Sequence, residues 1–334
     1  MTYHQIMTAL KKKDYSPIYF LMGEEPYYID KITNYIVEHV LTQKEKDFNQ
    51  TIVYGKDIDT PSIINIARRF PMMSKRQVVV VKEAQDLKKI EDLIFYVNAP
   101  LKSTVLVINY KYKSLDKRLK LYKALDTGAI LFESKKLYDN KVPDWIREYL
   151  DERNFTINPV AALMLTEFLG NDLNKISNEL DKLIITMPAN QKEITADIIE
   201  KNIGISKDFN SFELNKALAT KDVLKANRIV NYFGANQKTN PISATISTLY
   251  YFFSKLLAFH YAPNKTDNKA IAAALKINPF FLTEYREAAK KYTPKKSVEI
   301  IALLREYDVK SKGVNSYSAT PADLLKELIY KIMH

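Results

Sequence analysis

PIYFLMGEEPYYID, residues 17–30, decides the fold. Its apolar run, Ile18 to Met22, is bounded by Pro17 and Gly23 and has the length of a strand. It shows no polar alternation, which is the pattern of a strand buried on both faces. Pro26 then falls where the first turn of a helix tolerates a missing N–H. Ile29, Ile32, Ile36, Val37 and Val40 follow at helical spacing, so the helix runs to about Leu41. A buried strand leading at once into an amphipathic helix is the opening of a βαβ unit.

The same alternation continues to about residue 135. Thr51–Tyr54 reads as a strand. Thr60-Pro61 reads as a helix start with Thr60 as N-cap, and that helix ends near Phe70-Pro71. QVVVV, Gln77 to Val81, is the most β-prone stretch, with four β-branched residues in a row. Leu87–Val97 is expected to be helical, Thr104–Ile108 (TVLVI) a strand, Lys117–Leu125 a helix and Ala129–Phe132 a last short strand. Five short buried strands separated by helices imply a parallel sheet covered on both faces.

After Tyr138 the strand signal disappears. Trp145, Ile146, Tyr149 and Leu150 open a helical region, and Leu173, Ile176, Leu180, Leu183 and Ile184 form a second stripe. Ile194–Ile203 reads as a short helix stopped by Gly204. From Asn210 to the end the pattern is helical, and the aromatic cluster at Tyr250, Tyr251, Phe252 and Phe253 reads as bundle core. The expected division is therefore an α/β domain at 1–138, a small helical domain at 139–207 and a larger one at 208–334.

Composition removes several chemistries. The chain has 334 residues and no cysteine, which excludes disulfides, thiolate zinc sites and a Cys nucleophile. Its four histidines, His4, His39, His260 and His334, have no metal-ligand spacing, so no metal is expected. No apolar run approaches the ~20 residues of a membrane span. The start lacks a secretory apolar segment, so no membrane and a cytoplasmic location are expected. The formal charge of +11 fits a polyanionic partner, and equally a surface solvated by lysines.

In a nucleotide-hydrolysing fold of this kind the first strand feeds a G-x-x-x-x-G-K-[ST] loop. Here Gly23 is followed by Glu24, Glu25 and Pro26, and no Gly-Lys-Thr appears. Two carboxylates repel a triphosphate, and Pro26 removes a donor. The strand VVVV is followed by Lys82 and Glu83, where a Mg²⁺-binding Asp belongs. No other catalytic motif is present. The expectation is no catalytic residue and no cofactor.

At these residues the chain resembles the delta-subunit family of bacterial DNA polymerase III. PIYFLMGEEPYYID is similar to the family's first strand and degenerate loop. RRFPMMSKRQVVVVKEA resembles the stretch leading into the third strand, and YKSLDKRLKLYKAL a basic segment after the fourth. DLNKISNELDKLIIT resembles the lid helix, and FNSFELNKALATKD the entry to the collar. The resemblance implies an AAA+-like α/β domain with a RecA-type parallel sheet, then an all-α lid and an all-α collar. It implies a clamp-loader component of the DNA polymerase III holoenzyme, a DNA-directed DNA polymerase and nucleotidyltransferase, that binds and opens the beta sliding clamp during DNA replication. Its implied partners are that clamp, the motor subunits (tau/gamma), delta-prime and primer–template DNA.

The family's clamp plug matches Phe70, Met72 and Met73, with Pro71 stiffening the turn. Adaptable methionines suit an apolar pocket, although residue by residue the same stretch also reads as a cap on the local core. DNA contact is assigned to two basic clusters, Lys111, Lys113, Lys117 and Arg118, and Lys290, Lys291, Lys295 and Lys296. Ordinary solvated helix faces would look the same. The alternatives are a divergent P-loop-like nucleotide-using enzyme and a basic nucleic-acid-binding scaffold without a clamp role. A motor or delta-prime-like subunit, which in the family carries a four-Cys zinc module, is disfavoured by the absence of cysteine.

Overall fold

The structure is a computed structural model that describes residues 1–188, 190–204, 206–262, 267–314 and 319–334. Two compact units emerge, one of residues 1–138 with 171–177, the other of 139–170 with 178–334.

The first unit runs α1 (Tyr3–Lys11), β1 (Ile18–Gly23), α2 (Pro26–His39), α3 (Gln43–Asn49), β2 (Gln50–Tyr54), α4 (Thr60–Ala67), β3 (Gln77–Lys82), α5 (Ile94–Val97), β4 (Thr104–Lys111), α6 (Lys120–Gly128) and β5 (Ile130–Ser134). The five strands form one sheet in the order β2-β3-β4-β1-β5, every neighbouring pair parallel. Register follows the apolar runs: Ile18 lies beside Leu106, and Val79 beside Leu106 from the other side.

Strand period puts alternate residues into two cores. Ile18, Phe20, Met22, Val79 and Val81 pack with Ile63 of α4 and Leu121 and Leu125 of α6. Tyr19, Leu21, Val78 and Val80 pack with Ile6 and Leu10 of α1 and Ile29, Ile32 and Ile36 of α2. Each such side chain contributes about 1.5–3 kcal/mol when fully buried, which is why these strands carry no polar alternation. The α/β, parallel-sheet expectation is met.

Three local expectations are corrected. Leu87–Val97 is not one helix but a 3₁₀ turn at Ile90–Leu93 followed by the single turn of α5, because Lys89 adopts a left-handed conformation (φ 54°) that breaks the path. Leu87, Ile90 and Leu93 repeat every third residue, which suits the three-residue turn of a 3₁₀ helix as well as an α-helical face. The cap of α4 is Asp59, whose carboxylate accepts from the Ser62 N–H at 2.9 Å, rather than Thr60. Helix α1, whose Tyr3, Ile6, Met7 and Leu10 form an apolar stripe, and the polar helix α3 are additions to the expected pattern.

The second unit contains α7 (Val142–Asp151), β6 (Thr156–Ile157), α8 (Pro159–Leu169), α9 (Leu173–Thr186, of which residues 173–177 belong to the first unit), β7 (Glu193–Ile194) and α10 (Ala196–Ile203). It continues with α11 (Ser211–Thr220), α12 (Val223–Ala235), α13 (Ile242–His260), α14 (Asn268–Leu275), α15 (Leu282–Lys291), α16 (Pro294–Ser311) and α17 (Pro321–Met333). The all-helical expectation misses β6 and β7, a two-residue parallel ladder. Gly204 ends α10 with φ 80°, as its position after the last apolar residue predicts. The helical expectation from Asn210 onward also spans 263–266 and 315–318, which lie outside the described residues.

A large apolar cluster drawn from residues 214–333 fills α11 to α17. Helix α13 alone among the described helices is long and apolar enough to cross a membrane. Its Ile246, Leu249, Phe252, Phe253, Leu256 and Phe259 are buried in that cluster, whereas Tyr250 and Tyr251, also read as bundle core, are 52% and 47% exposed.

Candidate functional site

The loop between α4 and β3 holds Phe70, Met72 and Met73 out in water. They are 77%, 61% and 103% exposed, so none of them caps the core of its own unit. The backbone beneath them is fixed by buried polar groups. The carbonyls at the end of α4, which have no partner within the helix, are taken up by side chains. Gln77 donates to Ala67 O and Arg69 O, Thr104 Oγ1 donates to Ala67 O at 2.8 Å, and Tyr96 OH reaches the same carbonyl at 3.3 Å.

On the other side of the loop the buried Asn49 side chain pairs with Met72 as a strand neighbour would. Its Nδ2 donates to Met72 O at 2.9 Å, and its Oδ1 accepts from Met72 N–H at 2.7 Å. Met73 is left-handed (φ 51°), a conformation that costs a non-glycine residue about 1–2 kcal/mol. Ser74 Oγ then bonds Arg76 O at 3.0 Å and closes the turn. The helix ends at Ala67, earlier than the Phe70-Pro71 boundary expected from the sequence, and Met73 is fully exposed. Three large apolar groups on a fixed support form the kind of exposed patch that marks a partner site.

The region at the C-terminal ends of β1, β3 and β4 is where an open α/β sheet holds its ligand. Gly23 has φ 125°, and a Cβ there would lie 2.1 Å from Ser134 O, so its glycine serves close strand packing. The N–H groups nearby are used within the chain: Gly23 N–H to Lys113 O at 2.9 Å and Glu25 N–H to Ser134 O at 3.2 Å. Buried Glu25 caps α2 by accepting from Tyr27 N–H at 3.0 Å. Burial raises its pKa, against the Tyr27 N–H that lowers it. A carboxylate thus occupies the helix N-terminus that would take a phosphate.

Beside it, Lys111 Nζ lies 2.9 Å from Asp30 Oδ1 and 3.1 Å from Glu83 Oε1, and Gln85 Nε2 donates to Glu83 Oε2 at 2.6 Å. Burial opposes the charge on Lys111, but the bonds to Asp30 and Glu83 outweigh it and hold its pKa above the ordinary value. Burial likewise opposes Glu83, and Gln85 and Lys111 outweigh it and hold its carboxyl below the usual range. With Glu24, Glu25, Asp30 and Glu83 around a spent lysine, the residues present do not fit a nucleoside triphosphate.

Lys111→Met should therefore destabilise the fold. Breaking a fully buried pair costs about 3–5 kcal/mol; both carboxylates here are about a third exposed, so about 2 kcal/mol is expected. The sign with pH follows from the two shifts. Glu83's contribution is present above the ordinary carboxyl pKa and is lost as pH falls through its depressed value. That of Lys111 is present below the ordinary lysine pKa and is lost only as pH rises through its raised value. Urea unfolding of wild type and variant should differ most near neutral pH and converge in acid; a gap that widens in acid would contradict the assignment.

Lys111 is thus a correction to the expected DNA-contacting set, since it is buried and committed to two carboxylates. Lys113 and Lys117 are exposed, while Arg118 forks onto Asp116 at 2.5–3.0 Å. In the second unit Lys291 and Lys295 are exposed, Lys296 is half-exposed, and Lys290 pairs with Glu287 at 2.6 Å. Among the described residues no cluster of three or more His, Asp or Glu could hold a metal ion. Sequence reading missed Asn49 and the Asp30–Lys111–Glu83 triad, because both join segments far apart in the chain.

The family model described as "DNA polymerase III, delta subunit" matches residues 19–135. DNA polymerase III subunit delta of Bacillus subtilis is 29% identical over 318 residues, 92% of this chain and 91% of that protein. DNA polymerase III subunit delta of Buchnera aphidicola is 24% identical over 239 residues, 70% of this chain and 68% of that one. Among solved structures the Bacillus subtilis DNA clamp loader delta protein superposes with a TM-score of 0.53 at 23% identity, covering 99% of each chain, which supports the shared fold. Along nearly its whole length this chain is thus similar in sequence to DNA polymerase III delta subunits, and residues 19–135 of its first unit match that family's model.

Proposed function

We propose that the chain works as the clamp-opening subunit of a clamp loader. It seats Phe70, Met72 and Met73 in an apolar cleft of the beta sliding clamp and favours the opened ring for loading onto primed DNA. The observation that carries this reading is the exposure of three large apolar side chains on a backbone locked by buried polar groups. A few such anchors supply most of the energy of an interface. A binder that prefers the open ring shifts its population by the difference in affinity for the two forms, so no nucleotide chemistry in this chain is required.

The motor subunits (tau/gamma) and delta-prime would supply the ATP-driven step and assemble with this chain through a helical collar at 208–334, with 139–207 as a lid. Exposed Leu224, Tyr250 and Tyr261 give that collar apolar surface for neighbours. The test uses a sliding clamp labelled with a fluorophore pair across its ring interface. Adding the chain without ATP should lower energy transfer; unchanged transfer under saturating chain would overturn the opening role.

DNA contact is assigned to the exposed lysines, with Lys113, Lys117, Lys291 and Lys295 contributing more than Arg118 and Lys290, which already hold carboxylates. Each phosphate contact adds about 0.9 to the slope of log affinity against log salt. Lys113→Gln with Lys117→Gln should flatten the slope of the assembled loader on primed DNA by ~2. An unchanged slope would assign those lysines to solvation.

A further inference from the structure

We infer that Phe48 is a further anchor for the same partner, and that the partner's cleft carries an acidic rim; this rests on the clamp-docking reading. Phe48 is 73% exposed although it sits in the seven-residue helix α3. Glu45, Phe48 and Asn49 stand at i, i+3 and i+4, so they share one face of that helix. The two outer members meet the docking loop. Asn49 pairs with both backbone groups of Met72, and the Glu45 carboxyl, held below its ordinary pKa chiefly by Thr42, is lowered further by the nearby Ser74 side chain. Phe48 is the residue before Asn49, so its exposed ring is carried by the same helix end that holds the backbone of Met72.

Helix α3 is too short to hold itself, and it is fixed at both ends. Thr42 and Glu45 form a reciprocal cap at its start, with Thr42 N–H to Glu45 Oε2 at 2.8 Å, and Asn49 ties its end to the loop. The same polar contacts that position Met72 thus position Phe48, which makes one rigid platform from two segments. Charge sets the chemistry of the occupant. Residues 68–76 (RRFPMMSKR) carry four cations and no acid; Arg68, Arg69 and Lys75 are exposed and Arg76 is half-exposed. An apolar surface rimmed by carboxylates complements that ring of charge, which acts chiefly on the association rate.

The experiment is surface plasmon resonance of the full chain on immobilised cognate sliding clamp, without nucleotide, with folding checked by circular dichroism. Phe48→Ala is expected to weaken binding about tenfold, mainly through faster dissociation, and Phe48→Leu to recover part of the loss. Lys75→Glu is expected to slow association several-fold, with the effect fading as salt rises. If Met72→Ala with Met73→Ala abolishes binding while Phe48→Ala stays within about twofold of wild type, the Phe48 anchor is wrong and the docking reading stands. If the double methionine variant binds like wild type, the docking reading itself fails and this inference fails with it. An association rate that Lys75→Glu raises or leaves unchanged would overturn the acidic rim.

Discussion

Replacing Met72 and Met73 together with alanine should weaken clamp binding by more than ~2 kcal/mol, about 30-fold, and leave thermal stability where it was. The argument has two halves. Both thioethers are already in water, so the folded chain loses no packing when they are shortened. Fully burying a methionine side chain against a partner contributes about 1.5–3 kcal/mol, and alanine keeps only the first carbon of each. Backbone placement is unaffected, because Asn49 holds Met72 through its N–H and C=O, and alanine tolerates the left-handed φ of position 73 no worse than methionine does. The loss should appear in the dissociation rate. Surface plasmon resonance with a parallel thermal melt measures both halves. A large drop in melting temperature would place the side chains in the chain's own core, and unchanged affinity would remove the site.

Gly23→Ala should have the largest effect on stability. The added carbon would meet the Ser134 carbonyl oxygen at 2.1 Å and the Ser134 carbon and nitrogen at 2.8 Å, all of them backbone of the paired strand β5. The φ of 125° is itself closed to side-chain-bearing residues, so strain adds to the clash. Overpacking costs about 1–3 kcal/mol and backbone strain of this kind about 1–3. A loss of about 4 kcal/mol is expected, a large part of the 5–15 kcal/mol typical of a domain. Urea unfolding of the full chain reads this directly.

The same position decides between two uses of a glycine after the first strand. If Gly23 served a phosphate loop, Mg-ATP would raise the melting temperature of the wild-type protein. With Glu25 capping α2 and Lys111 spent on Asp30 and Glu83, no such shift is expected. A nucleotide-dependent rise would restore the reading as a nucleotide-using enzyme.

The central strands β1, β3 and β4 were legible in the sequence because they are buried on both faces and say so without interruption, as QVVVV does, while the edge strands β2 and β5 are only partly buried. What was not legible has physical causes. The periodicity of Leu87, Ile90 and Leu93 fits a 3₁₀ turn as well as a helix, and nothing local announces that Lys89 turns left-handed. Strands β6 and β7 have two residues each, too few to show alternation. Helix α3 (QKEKDFN) is polar and reads as a loop, so its role as the support of Met72 depends on a partner 23 residues away. Lys111 looked like one of a basic run because sequence shows charge but not the carboxylates of Asp30 and Glu83 that neutralise it. The exposure of Phe70, Met72 and Met73 was not legible residue by residue, since an apolar residue at a helix end is ordinarily core. Exposure is what separates the two readings.

The most direct test follows the methyl groups themselves. With methionine methyls labelled with ¹³C, the eight resonances can be watched while unlabelled cognate clamp is added without nucleotide. Met72 and Met73, exposed in the free chain, should shift or broaden in step with complex formation, while buried Met22 and Met164 stay in place. A complex that forms with the Met72 and Met73 signals unmoved would contradict the docking of this loop.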